Sequence, residues 1–375
     1  MRKLLVALPL SVALAVAGCS GDSTQPAPET TQESSAASST SAEAQEGTRS
    51  FTDSSGRTVE IPATVTRVAS GGPLANIMLY AMAPDRVVGL SDSPSESAQG
   101  IIDEEFMNLP EYGRLYNSQG DFNREALMAA EPELIVDVGM WDEEYKAQTD
   151  ELQEQIGIPI LIIDGHLENS AQAFREVADV MGEEARGEEL AAMAEQYLAL
   201  VEDKAEELPE ERTTVYVAED EDGLSTVVAD TIHSEIIDAV GGEILVGKDE
   251  VEEQRGGGTV SLEQLLAWDP DVILTGRGAD IDTLRADPAW QALSAVQNDR
   301  IYEVPQTPYN WIGRPPGPNR LIGIPWLGNL LYPDVYDVDV DSHVRGFFDL
   351  MYRYHLSDEE LDELLANSTR ASQNA

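Results

Sequence analysis

One short unit occurs twice in this chain, and it constrains the fold more than any other feature. Asn123-Arg124-Glu125-Ala126-Leu127-Met128-Ala129-Ala130-Glu131-Pro132-Glu133-Leu134-Ile135-Val136-Asp137 matches Ser261-Leu262-Glu263-Gln264-Leu265-Leu266-Ala267-Trp268-Asp269-Pro270-Asp271-Val272-Ile273-Leu274-Thr275. Each copy reads as a helix cap, a glutamate on the first turn, an apolar helix face, an acidic-Pro-acidic turn and a buried strand. The glutamate stands seven residues before the proline in both copies. The elements on either side follow a similar order. The duplication predicts two related α/β lobes.

The surrounding chain has the same rhythm. Phe51 to Pro62 holds two short alternating runs around Ser54-Ser55-Gly56, a hairpin signal. Strands are expected at 65–70, 86–90, 134–138 and 159–163, with helices at 74–82, 123–130 and 143–155. A second series places strands at 213–218, 271–275 and 300–304, with helices at 232–240, 261–267 and 288–293. Strand-helix alternation of this kind implies mostly parallel sheets. Between the series, residues 168–208 repeat apolar side chains near the helical period, from Ala173 to Val201. This predicts one long connecting helix, or a short one followed by a long one, bent or broken at Gly182 and Gly187 and stopped by Pro209. A helical tail is expected from Ser342 to about Leu365.

The first residues carry a different message. Met1-Arg2-Lys3 is a basic head, Leu4 to Val16 is an apolar run, and Val16-Ala17-Gly18-Cys19 is a small-residue site. This order reads as a secretory signal peptide, too short to persist as a spanning helix. Cys19 is the only cysteine of the chain. The site resembles a bacterial lipoprotein lipobox, which implies cleavage before Cys19 and lipid on its sulfur. Ser20 to about Ser50 lacks large apolar side chains and reads as a flexible tether. The expected organisation is signal peptide 1–18, tether 19–50, N-terminal lobe 51–167, connecting helix 168–208, and C-terminal lobe with helical tail 209–375.

Charge and residue types exclude several functions. The net charge is -47, from 70 acidic and 23 basic side chains. Nucleic acid is not an expected partner, because phosphate binding needs basic patches. With Cys19 acylated, no thiol is left for a disulfide, for catalysis or for a metal. No pair among His166, His233, His343 and His355 has metal-ligand spacing. Asp220-Glu221-Asp222-Gly223 lacks the register of a calcium loop. Arg255-Gly256-Gly257-Gly258 follows no expected strand and reads as a flexible loop rather than a phosphate cradle. No nucleophile-base set is visible, so neither an enzyme nor a cofactor is expected.

In this setting several segments carry a resemblance: Asp53-Ser54-Ser55-Gly56-Arg57-Thr58-Val59-Glu60-Ile61-Pro62, Arg67-Val68-Ala69, Asp85-Arg86-Val87-Val88-Gly89-Leu90, the repeated unit, and Asp299-Arg300-Ile301-Tyr302-Glu303-Val304. Together they resemble the helix-hinged (class III) solute-binding proteins of ABC importers for iron-siderophores, haem and cobalamin. The resemblance implies two Rossmann-like lobes joined by a long rigid helix, with a ligand cleft between them. It also implies a monomer whose partner is an ABC permease dimer. In the family a glutamate on the matching first turn of each lobe docks onto permease arginines, which assigns that role to Glu125 and Glu263. A carboxylate there would equally favour the helix dipole.

Cleft residues are expected on loops at the C-terminal ends of strands. These loops are Ser91–Ser97, Gly139-Met140-Trp141, Glu219–Leu224, Gly276-Arg277-Gly278 and Gln306–Arg314, with Gly113-Arg114-Leu115-Tyr116-Asn117 beside them. The candidate ligand-binding residues are Arg114, Tyr116, Trp141, Arg277, Tyr309, Trp311 and Arg314. Aromatic rings with guanidinium groups suit a flat or anionic organic ligand. Trp326 is placed on the following helix and in the core. Arg314 to Leu327 resembles a segment of relatives linked to corrinoids or to oxyanions such as molybdate. The expected function is capture of a ferric siderophore or related metal-organic complex. Cobalamin, haem and molybdate or tungstate stay open as ligands, and a ligand-sensing surface receptor stays open as the role.

Overall fold

The apolar runs at Leu134–Val138 and Val272–Leu274 are buried on both faces, as parallel strands covered by helices require. The computed structural model describes residues 47–115, 122–252 and 256–370. Cys19, the tether up to residue 46, Tyr116 and Arg255 lie outside the described residues. The first lobe comprises β1 (Thr48–Thr52), β2 (Thr58–Pro62), β3 (Val68–Ser70), α1 (Pro73–Met82), β4 (Val87–Gly89), α2 (Glu104–Met107), α3 (Arg124–Ala129), β5 (Leu134–Gly139), α4 (Glu143–Ile156) and β6 (Ile160–Asp164). Helices α5 (Ser170–Met181) and α6 (Glu184–Lys204) follow. The second lobe comprises β7 (Thr213–Ala218), β8 (Ser225–Val227), α7 (Glu235–Ala239), β9 (Gly242–Ile244), β10 (Gly257–Thr259), α8 (Leu262–Trp268), β11 (Val272–Thr275), α9 (Ile281–Ala286), α10 (Ser294–Gln297) and β12 (Ile301–Glu303). Helices α11 (Arg320–Leu331), α12 (Val340–Tyr352) and α13 (Asp358–Leu364) close the chain.

Each lobe is built on a parallel sheet, ordered β4-β3-β5-β6 in the first and β9-β7-β11-β12 in the second. The two orders are the same when each sheet is numbered by chain appearance. The repeat is preserved in its contacts as well. Asn123 caps α3 through the Ala126 amide, and Ser261 caps α8 through the Gln264 amide. Glu131 and Asp269 both take left-handed backbone before the proline, with φ of 48° and 46°. The Glu133 carboxylate accepts from the Thr66 amide and hydroxyl, and the Asp271 carboxylate accepts from the same groups of Thr214. In each lobe the acid after the proline therefore ties the chain entering the neighbouring strand to the turn.

The hairpin β1–β2 has a specific task. The Asp53 carboxylate gathers the Ser55 and Arg57 amides, and its second oxygen accepts from the Ile162 amide. The Ser54 amide donates to the Ile162 carbonyl. The turn thereby covers the free edge of β6, where an open strand would invite pairing with other chains. Arg57 is buried on Asp53 at 3.1 Å and donates to the Ile160 carbonyl.

Three expectations need correction. Gly187 does not break the connecting segment; only Gly182, with φ of 67°, ends α5. At Gly187 a Cβ would lie 2.1 Å from that of Ala178, so this glycine lets α6 lie close on α5. The helix expected at 288–293 is a 3₁₀ turn at Trp290–Ala292, because Leu293 is extended before α10. The segment read as a flexible Arg-Gly-Gly-Gly loop contributes β10, antiparallel to β8. A Cβ at Gly257 would meet the Arg314 guanidinium at 2.5 Å. The glycine serves close approach there.

A single continuous core runs from Ile77 and Tyr80 of α1 through α5 and α6 to Ile236, Leu321 and Phe348 of the second lobe. Arginines tie the lobes across it. Arg353, just after α12, donates to the Tyr80 and Ala81 carbonyls at the end of α1. Arg320 is only 2 % exposed. Its guanidinium reaches the Gly165 carbonyl of the first lobe at 2.5 Å, the Ile232 carbonyl at 3.3 Å, and the Glu235 carboxylate. Glu235 in turn accepts from the Leu167 amide at 2.9 Å.

Breaking this clasp from one side leaves an uncompensated buried charge. Arg320→Ala is expected to lower stability by about 3 kcal/mol or more in thermal or urea unfolding. A loss within experimental error would show that the clasp is dispensable. A second expectation concerns Asp137, buried on β5 beneath the Gly71–Gly72 turn, where a Cβ on Gly71 would lie 2.6 Å from its own. Burial pushes its carboxyl up to about 6, against hydrogen bonds from Tyr145 and the Val138 amide. The ionised form therefore costs stability at neutral pH. That cost fades as pH falls through about 6 and vanishes below the unfolded value of about 4. Asp137→Asn should melt above wild type at pH 7.5, with the gap closing towards pH 4. A gap independent of pH would refute the titration.

Candidate functional site

The C-terminal ends of both sheets face a cleft of about 480 Å³. The first lobe contributes Pro73 and Asn76 at the start of α1 and the Asp92–Ser95 loop after β4. The second contributes Gly276-Arg277-Gly278 after β11 and the Gln306–Pro315 loop after β12. The Gly71-Gly72-Pro73 turn explains the first wall, because proline at the first helical position starts α1 directly after the strand. Asn76 then fixes the neighbouring loop. Its amide donates to the Asp92 carbonyl at 2.8 Å, and its oxygen accepts from the Ser91 amide.

The second wall is organised by Asn310, a residue that carries no motif signal. Its side-chain oxygen accepts from the Ile312 and Gly313 amides at 2.9 and 2.8 Å, and its amide donates to Gln306. Asn319 holds the Tyr309 carbonyl from below at 3.1 Å. The loop is thus a braced wall presenting Gln306, Tyr309 and Arg314.

The candidate residues divide into groups. Arg277 is exposed on the cleft wall. Arg314 is largely covered, with Nε 2.8 Å from the Glu219 carboxylate but not aligned on it as a hydrogen bond. Burial raises the Glu219 carboxyl, while Arg314 and Arg277 hold it down. Tyr309 is 9 % exposed and lines the cleft. Its ring leans on Tyr352, and burial raises its hydroxyl well above the ordinary value. The Tyr309 hydroxyl and the Gln306 amide nitrogen are buried without a hydrogen-bond partner among the described residues. Arg114 is more than half exposed, 3.8 Å from Asp92, and reaches the cleft only through that acid. Burial raises the Asp92 carboxyl, and Ser91 and Arg114 oppose it.

Both tryptophans depart from expectation. Trp311 is fully buried and meets Trp326 edge-on at 5.9 Å, inside the core rather than on the cleft wall. The reason is local: Gly323 of α11 has no Cβ, so the Trp311 backbone lies directly on that helix. Trp326 is in the core as expected, its indole donating to the Ser368 carbonyl. Trp141 is half-buried after β5 and does not line this cleft. Tyr116 lies outside the described residues. Glu125 and Glu263 are exposed on the first turns of α3 and α8.

This geometry has known counterparts. The family model described as periplasmic binding protein matches residues 74–308. The solved structure of an ABC transporter solute binding protein from Sulfurospirillum deleyianum superposes with a TM-score of 0.77 at 30 % identity, covering 84 % of this chain and 98 % of that one. The ABC transporter substrate-binding lipoprotein YvrC of Bacillus subtilis is 22 % identical over 76 % of this chain and 85 % of its own. The molybdate-binding protein MolA of Haemophilus influenzae is 32 % identical over 26 % of this chain and 29 % of its own. Among the described residues no helix is long and apolar enough to cross a membrane. Two like-ordered parallel sheets, the helices between them and the matched span place the chain in the periplasmic binding protein family, as a non-enzymatic substrate-binding protein of an ABC transporter.

Proposed function

We propose that this chain captures an anionic metal-organic complex of the ferric-siderophore class in the cleft and hands it to an ABC permease dimer. The observation that carries this reading is the second-lobe wall, where Arg277 and Arg314 stand beside the buried Tyr309 hydroxyl and Gln306 amide nitrogen, neither with a hydrogen-bond partner among the described residues. Buried donors left without acceptors are costly unless a ligand supplies them. The oxygen-rich face of a siderophore chelate offers such acceptors and a charge for the guanidinium groups. The chain works as a monomer, tethered through lipid on Cys19, with 51–167 and 209–375 as its ligand-binding lobes.

A second reading rests on the same donors: a compact oxyanion of the molybdate type needs several converging hydrogen bonds and little apolar surface. The partial likeness to a molybdate-binding protein favours it. Haem or cobalamin would bring a wider apolar face than this wall offers.

Calorimetric titration with ferric siderophores, molybdate, haem and cobalamin separates these ligands. The ferric-siderophore reading expects binding that weakens about tenfold or more in Arg277→Ala and in Tyr309→Phe, as loss of a hydrogen bond to a charged group predicts. Binding unaffected by both substitutions would remove the cleft assignment. Delivery is proposed to run through Glu125 and Glu263, one carboxylate per lobe, seated in cationic sockets of the permease. Glu125→Arg with Glu263→Arg should abolish uptake while leaving ligand affinity unchanged. Normal uptake in that variant would end the docking role.

A further inference from the structure

The helices that carry Glu125 and Glu263 share a second feature. Among the described residues only three large apolar side chains are exposed: Met128 at 45 %, Met140 at 48 % and Leu266 at 37 %. Met128 and Leu266 occupy the same position of the two repeats, each three residues after its glutamate. On a helix that spacing puts both side chains on one face. Neither belongs to a hydrophobic core cluster. Leu127 and Leu265, one residue earlier, are fully buried and anchor the two helices in their own lobes.

In a chain with 70 acidic and 23 basic side chains, matched apolar exposures in both lobes call for a matched partner. We propose that each lobe presents a two-part contact, a carboxylate with an apolar side chain one turn further on, and that the partner is the two-fold permease. Each of its sockets then holds a cationic group for the glutamate beside an apolar hollow for Met128 or Leu266. The carboxylate sets orientation and salt dependence, and the apolar contact slows release once water is excluded. This rests on the docking role of Glu125 and Glu263 and adds the chemistry of the socket. Two near-equivalent contacts on one chain suit a two-fold partner, whereas a second copy or a lipid surface would not require the match between lobes.

The test measures affinity of the full-length chain for its permease–ATPase complex in nanodiscs, across a salt series. Met128→Ala with Leu266→Ala should weaken binding about tenfold with an unchanged salt slope, since apolar area is lost and charge is not. Glu125→Gln with Glu263→Gln should weaken binding and flatten the slope. Circular dichroism melts and ligand affinity should match wild type in both variants. Unchanged affinity in the alanine variant, with the glutamine variant weakened, would overturn the apolar contact and leave the docking glutamates standing. Unchanged affinity in the glutamine variant would instead remove the docking role itself. An alanine variant that loses only self-association, or only binding to empty nanodiscs, would assign the apolar pair to a second copy or to lipid and refute the proposal.

Discussion

The buried guanidinium of Arg320 is the constraint on which the arrangement of the two lobes depends. A cation with almost no exposure must have its donors taken up, and the partners here come from both lobes: the Gly165 carbonyl on one side, the Ile232 carbonyl and Glu235 carboxylate on the other. Separating the lobes at this point would strand a charge in an apolar surround. The continuous core beneath it and the Arg353 contacts on α1 act in the same direction. The cleft walls are therefore braced from both lobes by buried contacts.

The side chains of those walls come from loops that a parallel sheet places at one end. The loop after β4 in the first lobe and the loops after β11 and β12 in the second line the cleft together. The duplicated Pro turns explain why the strand order is preserved. In each copy an acid after the proline ties down the chain entering the neighbouring strand, which sets the register of the two central strands. The same duplication puts a glutamate and an exposed apolar residue at matched positions on the outer surface. The paired sheets and the two exposed glutamates thus both follow from one repeated unit.

Legibility followed the range of the forces involved. The repeat, the hairpin, the parallel rhythm and the first-turn glutamates depend on periodicity, capping and turn chemistry, all carried by neighbouring residues. Arg277, Tyr309 and Arg314 were readable as cleft residues because strand ends and Pro/Gly-rich loops mark the mouth of an open sheet. Trp311 was not readable in this way. It shares a loop with Tyr309, yet its side chain enters the core because Gly323 allows the backbone to lie against α11. Asn76 was silent, and Glu219 and Asn310 stood in expected cleft loops without a role, since the importance of all three lies in what they bond to and not in what flanks them.

By itself the sequence determined that there would be two related α/β lobes, where their central strands and the repeated helices would lie, and that the loops at 91–97, 276–278 and 306–314 would line the gap at the strand ends. Those outcomes need only local periodicity and the short-range geometry of turns. The tertiary structure alone decided which aromatic ring faces the cleft and which fills the core, that Gly257 makes room for Arg314, and that Arg320 clasps both lobes. Each of these joins residues far apart in the chain, and only packing in three dimensions selects the partner of a buried charge or ring.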